Sequence, residues 1–505
     1  MNESLANLSI GRYIYRPMAH TPFFPAWGAR FNPRGSHSGR LRRTVRAFTL
    51  CQLEKCFAPW IPPQLFPKAA DHQNSRDRYY TRWRTFWSML WQALHPLASG
   101  REVVRQLQAL FDLEDGRQLC PEDGAYCRAK ARLPLDQFPK ALNATAGHAD
   151  QLAPPRQLRR GRPLKVVDGS ALTLADTPKN RAAYPPIEPT DTPTFPQLRL
   201  VVLFSLLSGA ILAAAQGSLR ASELALLHSL AAQLAARDIL VGDRGFGSFP
   251  VIVWLKVVCQ VDFLGRTTRR IDGRRRLRRL GPNDWLLTWQ ASSSCTSPWL
   301  SALVQALLPT QMTLRAVKGS CYQKGFRVRR VTVVTTLLDP ELYPAQEILQ
   351  AYLRRWRLEM CLDDLKTSLQ MESLRGRTPA TLQRELDTRL IAHNLIRCTM
   401  AQAASDHHVP LEHLSFKGSL DAVRHFAHAM ARARSRARRQ RLWNLLLQTL
   451  AWDLVPERPG RRQPRAVKRR KNKYPRLDAP RDKFRDHPKR HTRRKKARLR
   501  KLGLM

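Results

Sequence analysis

The sequence predicts an α/β fold, a mixed β-sheet flanked by helices, with further helical regions before and after it. Three observations carry that prediction. Between residues 164 and 265 short apolar runs alternate with one amphipathic stretch and one apolar stretch, in the order strand, hairpin, helix, strand, helix, strand. From Tyr79 to about residue 150, and again from about residue 345, apolar residues recur three or four apart. In the stretch 266–330, "RRIDGRRRLRRLGPNDWLLTW" and "MTLRAVKGSCYQKGFRVRRVTVVTTLLD" set basic residues among β-formers, which reads as a strand-rich, positively charged insertion.

Taken in order, residues 1–75 hold many Pro and aromatic residues without sustained periodicity and are expected to form a loosely ordered arm. Residues 76–150 ("YYTRWRTFWSMLWQAL", "GREVVRQLQALFDLE", "PEDGAYCRAKARLP") predict a small helical domain, and Trp83, Trp87 and Trp91 share a stripe that reads as helix core. Residues 160–265 carry the first part of the α/β core, opening on "LKVVDGSALTLADTPKN". Its next run, "LVVLFSLLSGAILAAA", is too short for a membrane span and has "SG" at its centre, which predicts two buried strands joined by a turn. The core resumes over 331–405, a helical region follows over 406–455, and the basic, low-complexity tail 456–505 is expected to stay disordered until it meets a polyanion.

The charge is extreme. Lys plus Arg number 86 against 39 Asp plus Glu, a net charge of +47. Such an excess repels itself unless a polyanion is near, so nucleic acid is the expected partner. Nine cysteines lie at irregular spacing with no CxxC pair, which argues against a disulfide framework and structural zinc and for a reducing cytoplasm. No secretory signal pattern opens the chain, and no membrane is expected as a partner.

Asp168 and Asp243 each follow an apolar run, where a strand would end. Either one alone reads equally as a helix cap. Converging on one rim with a third carboxylate, they would form an oxygen cage suited to Mg²⁺ or Mn²⁺. In "YLRRWRLEMCLDDLK", residues 352–366, helical spacing puts Tyr352, Arg355, Glu359 and Lys366 within an arc of about 60°. A solvated, salt-bridged face would look the same. On the other reading Glu359 is the third ligand, and its three neighbours grip DNA phosphates.

The pattern Tyr352-x2-Arg355-x3-Glu359-x6-Lys366 resembles the YREK signature of the DDE transposases in the insertion-sequence family numbered four. "VVDGSALTLADTPKN", "LVGDRGFGSF", "VTVVTTLLD" and "IAHNLIR" are similar to blocks of that family in the same order, so the likeness spans roughly residues 80–480. It implies an RNase H-like core interrupted by the β-rich insertion. Asp168, Asp243 and Glu359 become the catalytic, metal-binding triad with two Mg²⁺ (or Mn²⁺) ions, and Tyr352, Arg355 and Lys366 the DNA-gripping companions. The implied activity is cut-and-paste transposition: cleavage at terminal inverted repeats, then attack of the 3′-hydroxyls on target DNA, by a homodimer in a synaptic complex associated with the nucleoid. Residues 76–150 would read the DNA end, and 406–455 would supply the dimer contact. Some members form a hairpin intermediate and stack a flipped base on a tryptophan of the insertion; Trp285, Trp289 and Trp299 are the candidates, with core packing favoured for the first two. Two other readings remain open, a decayed or domesticated nucleic-acid-binding protein and a metal-dependent nuclease that cuts without joining.

Overall fold

The computed structural model describes residues 56–66, 79–95, 97–111, 119–154, 161–185, 195–267, 271, 276–292, 297–321, 329–433, 435–455 and 500. Four helices come first: α1 (Arg82–Leu94), α2 (Gly100–Phe111), α3 (Gly124–Arg132) and α4 (Gln137–Leu152). The sheet region runs β1 (Leu164–Thr173), α5 (Pro178–Ala183), β2 (Gln197–Ser205), β3 (Ile211–Ser218), α6 (Glu223–Ser229), β4 (Ile239–Gly242), α7 (Phe249–Val257) and β5 (Asp262–Gly265). Strands β6 (Arg276–Gly281) and β7 (Asp284–Gln290), a short helix α8 (Ala302–Leu307), then β8 (Gln311–Cys321) and β9 (Arg329–Thr335) come next. The remaining helices are α9 (Ala345–Asp363), which runs into a π turn over Asp364–Ser368, α10 (Pro379–Asp406), α11 (Phe416–Arg432) and α12 (Arg436–Trp452).

All nine strands form one sheet in the order β3-β2-β1-β4-β5-β9-β8-β7-β6. The first five are mixed: β1 is antiparallel to β2 and parallel to β4, β2 is antiparallel to β3, and β4 is parallel to β5. A mixed sheet flanked by helices is consistent with an RNase H-like core. Strand β9 pairs with both β5 and β8, so the basic strand-rich segment continues the same sheet. The antiparallel pairs β6–β7 and β7–β8 follow from its alternation of basic and apolar residues.

Each face of the sheet buries its own apolar set. Leu164, Val166, Leu198, Leu200, Val202, Phe204, Ile239 and Val241 join a core that also takes in residues of α1–α4 and α9–α12. Val167, Val201, Leu203, Leu240 and Phe263 pack on the opposite side, against α6, α7 and the tryptophans of the β6–β9 segment. The period-two alternation of strand side chains divides the two sets. Residues 200–215 are the β2–β3 hairpin, whose turn uses Gly209 at φ +72° and is tied to α4 by Ser205 and Ser208, which both donate to Asp150 Oδ1 (2.7 and 2.6 Å). Among the described residues no helix is long and apolar enough to cross a membrane.

Helix α10 is buried on nearly every side and organises the first of these cores. Asn394 clamps it to β3: its Oδ1 accepts from the backbone of Ile211 (2.8 Å), and its Nδ2 donates to the carbonyls of Ile211 (2.9 Å) and Leu142 (3.3 Å). A buried ion pair, Lys130 to Glu385 at 3.2 Å, docks α3 on α10. The N-terminal helices thus share their apolar core with the sheet, and Trp87 of the tryptophan stripe is fully inside it. One expectation is corrected. Residues 56–66 were expected within a loose arm, yet Phe57, Trp60, Ile61 and Phe66 are buried, Phe66 stacking on Phe86 and Trp60 meeting Trp443 edge-on. Large aromatic surface outweighs the absence of periodicity there. The rest of the arm and the basic tail, apart from Arg500, lie outside the described residues.

One prediction arises from this core. His393 on α10 is fully buried against Phe416, and burial, helped by the nearby Arg397 charge, lowers its pKa from 6.5 to about 3. The unfolded chain therefore binds the extra proton between pH 6.5 and 3. Stability should be complete above pH 6.5 and fall by about 1.4 kcal/mol per pH unit below it. Urea melts of His393→Leu should show a shallower acid decline than the parent over that window.

Candidate active site

Strands β1 and β4 run parallel with Leu164 opposite Ile239, Lys165 opposite Leu240 and Val166 opposite Val241. Two residues further along each chain stand Asp168 and Asp243. The register thus puts the two aspartates on neighbouring chain paths, Asp168 within β1 and Asp243 just past the end of β4. Both are half-buried. Period-two alternation points Asp168 the same way as Val166, toward the side of the sheet occupied by α9 and α10.

The expectation that both aspartates end strands is corrected for Asp168, which stands within β1 because pairing with β2 carries that strand on to Thr173; Asp243 follows the end of β4 and opens a glycine-rich turn. Asp168 Oδ1 accepts from the Gly169 amide (2.9 Å), and Asp243 Oδ1 accepts from the amides of Gly245 (2.8 Å) and Phe246 (3.4 Å). Gly169 faces the other side of the sheet, where the space it leaves is filled by Glu223 of α6: a Cβ there would stand 2.6 Å from Glu223 Oε1. Gly247 lets the Asp243 turn pass against the residue after β5, since a Cβ on it would fall 1.7 Å from the carbonyl oxygen of Arg266.

Helix α9 packs across β1, β4, β5 and β8. Tyr352 is 3% exposed and Arg355 7% exposed, with the guanidinium 5.8 Å from the tyrosine ring centre. Burial raises the Tyr352 pKa, opposed by the charges of Arg355 and Arg266 and reinforced by Asp243, so its hydroxyl lies in the field of the second aspartate. Glu359 is two helical turns beyond Tyr352 on the same face. The Glu359 side chain lies outside the described part of the structure.

Lys366 departs from the spacing argument. It sits in the π turn Asp364–Ser368, closed by the Leu369 amide donating to the Asp364 carbonyl at 3.0 Å. The 100° step that put Lys366 on the Tyr352 face holds only to the end of the regular helix; a π turn inserts extra backbone and rotates the residues within and beyond it. In the same turn, burial pushes the Asp364 carboxyl up to about 7.

The three tryptophans lie on the other side of the sheet. Trp285 packs under the Arg276 guanidinium (4.5 Å), Trp289 against Phe249 (6.0 Å), and Trp299 between Trp254 (5.5 Å) and His228 (5.8 Å). The fold does not bring them to the Asp168 face. Asp176 and Asn180 hold the loop after β1: Asp176 pairs with Arg181, and Asn180 Nδ2 donates to the carbonyls of Ala175 and Gly376. Two charged residues that the sequence did not single out lie close by, Glu223 against Gly169 and Arg266 against Gly247. Arg266 stands one residue beyond β5, the third parallel strand, a position that strand-end logic singles out.

Among the described residues no three His, Cys, Asp or Glu side chains form a group able to hold a metal ion. The carboxylates of Asp168, within β1, and Asp243, just after β4, supply hard oxygen donors, the chemistry that suits a divalent cation of the Mg²⁺ type, and the helix bearing Glu359 is the element that packs across both strands.

A family model, "Transposase DDE domain", matches residues 159–395, which begins just before β1 and ends within α10. Over 398 residues the chain is 26% identical to the transposase InsG for insertion sequence element IS4 of Escherichia coli (strain K12), covering 77% of this chain and 85% of that protein. Two aspartates near the parallel register of β1 and β4, a facing helix with the Tyr-Arg-Glu spacing, and these two likenesses point the same way: over most of its length the chain is similar to DDE transposases of the IS4 kind.

Proposed function

We infer that this chain is an insertion-sequence transposase that cuts and joins DNA at Asp168, Asp243 and Glu359, and that its substrates are the terminal inverted repeats of its element and a target duplex. The observation that supports the reading is the parallel register of β1 and β4, with Val166 opposite Val241 two residues before Asp168 and Asp243, and α9 packed across both strands. Carboxylate oxygens unaccompanied by His or Cys fit two Mg²⁺ ions, with Mn²⁺ as a substitute. A bound divalent pair would stabilise charge on both the entering and leaving oxygens of a phosphodiester.

The chain's own groups do the rest. The Gly245 and Phe246 amides hold the Asp243 carboxylate in one orientation. Arg355 and Tyr352 offer little open surface, so they meet a phosphate through single edges beside the scissile bond. Lys366, half-exposed at the π turn, reaches a flanking phosphate. Arg276, Arg278 and Arg279 are exposed on β6, the edge strand of the sheet, and add sequence-independent phosphate contacts. Helices α1–α4 read the repeat, two copies hold the two ends in a synaptic complex through 406–455, and the tail 456–505 adds phosphate contacts.

The test is a duplex carrying the element's end with a labelled 3′ strand, mixed with a target plasmid. With Mg²⁺ the end should be nicked and the label should become covalently attached to the plasmid; with EDTA neither should occur. Nicking without attachment would leave a nuclease that does not join, and metal-independent nicking would overturn the carboxylate assignment.

A further inference from the structure

The entry to α9 is held by a buried clamp that runs from the β7–β8 pair to the start of β1. Arg315, in the middle of β8, is 0% exposed. Its Nε and Nη2 donate to the two carboxylate oxygens of Asp284 on β7 (2.8 and 2.5 Å). The remaining Nη1 donates to the backbone carbonyls of Tyr343 (2.7 Å) and Asp339 (3.2 Å), the two ends of the turn that leads into α9. The Tyr343 hydroxyl accepts from Arg162 Nη1 (3.0 Å), and Arg162 Nη2 in turn meets Asp262 Oδ2 (2.6 Å) at the start of β5. Gly319 of β8 leaves the gap that Leu349, in the first turns of α9, occupies; a Cβ on Gly319 would stand 2.2 Å from Leu349 Cδ1.

Stability alone does not account for this arrangement. Burying an ion pair costs desolvation, and two apolar side chains of similar volume commonly serve a core as well. An apolar pair cannot aim at two carbonyls, whereas the planar guanidinium fork can bind a carboxylate with one side and the turn with the other. Helix α9 carries no side-chain cap at its N-terminus, where Pro344 stands, and the clamp holds the turn that leads into it.

Leverage makes that orientation matter. Glu359 lies 14 residues after Ala345 (359 − 345), hence about 21 Å along the helix axis. A tilt of about 3° at the entry moves Glu359 by about 1 Å, and a displacement of that size costs about 100-fold in rate. We propose that Arg315, fixed by Asp284 and acting on the Asp339–Tyr343 turn, is a positioning residue for Glu359. The inference rests on Glu359 belonging to the catalytic set.

The experiment compares three variants of the full chain: Arg315→Lys, which keeps the charge but loses the fork; the double variant Asp284→Leu/Arg315→Leu, which substitutes an apolar pair; and Tyr343→Phe, which removes one hydroxyl. Melting temperature and affinity for an end duplex without divalent ion report the fold, and single-turnover nicking at saturating duplex with Mg²⁺ reports positioning. Expected are melting within a few degrees of the parent in at least one Arg315 variant, an end-duplex Kd within about twofold, and nicking slowed about 100-fold. Tyr343→Phe should show a smaller slowing of the same kind. Nicking at the parental rate in a folded Arg315 variant would overturn the proposal. Equal losses of melting temperature, affinity and rate in every Arg315 variant would assign the clamp to stability and overturn it too. Glu359→Gln run beside them separates the two claims: if it nicks normally, the catalytic reading has failed rather than the clamp.

Discussion

Asp243→Asn is expected to lose strand cleavage in Mg²⁺ by well over about 100-fold while keeping its fold and its grip on DNA. Removing a hydrogen-bond partner of a metal-bound group costs about 10–100-fold, and removing a direct ligand costs more. The amide is the same size as the carboxylate, and its oxygen still accepts from the Gly245 and Phe246 amides, so the turn after β4 should keep its shape. What is lost is one negative charge and one hard donor at the point where β1 and β4 lie side by side. Affinity for an end duplex should hold or rise slightly, because an acid has left a chain of net charge +47. Asp168→Asn should behave alike. Filter binding and nicking on one preparation check both halves; an Asn variant that nicks at the parental rate would remove that aspartate from the site.

Gly247→Ala should be the most damaging single-methyl change in the Asp243 turn. Its Cβ would fall 1.7 Å from the Arg266 carbonyl oxygen, 2.8 Å from that carbonyl carbon and 3.1 Å from the Thr267 Cα. All three are backbone atoms, so relief requires the turn and the end of β5 to part. A loss of about 3 kcal/mol or more is expected, at the upper end of what overpacking costs, together with loss of cleavage as Asp243 is displaced. Gly281→Ala is the control, because nothing lies within 4 Å of its Cβ position. Chemical denaturation of both variants decides it: similar midpoints would mean that the two backbone segments are not in contact.

Much of this architecture can be read along the chain. Local periodicity and turn residues foretell the β2–β3 hairpin at "SG", the order of strands and helices around it and the aspartate that follows β4, because each depends on residues within a turn or two of itself; Asp168 instead lies within β1, which runs on to Thr173. The proposed triad comes from the spacing of Tyr352, Arg355 and Glu359 and from the likeness of the blocks around them to a known family. Other features are not local. The helical wheel assumes a regular helix through Lys366, whereas that residue sits in the π turn Asp364–Ser368. Nor did residues 56–66 announce that Phe66 would stack on Phe86, because no pattern within that stretch records its partners.

The sequence by itself determined the alternation of strands and helices, the electrostatic need for a polyanion, and that Glu359 rides a helix while Asp243 follows a strand; these are properties of composition and short-range spacing. Only the tertiary structure decided that β1 and β4 are parallel neighbours in the register that sets Asp168 beside Asp243, that the tryptophans of the basic segment face away from them, and that Arg315 holds the turn before α9. Those outcomes depend on strand order and on contacts between residues far apart in the chain, whose free energy exists only once the whole sheet has closed on its helices.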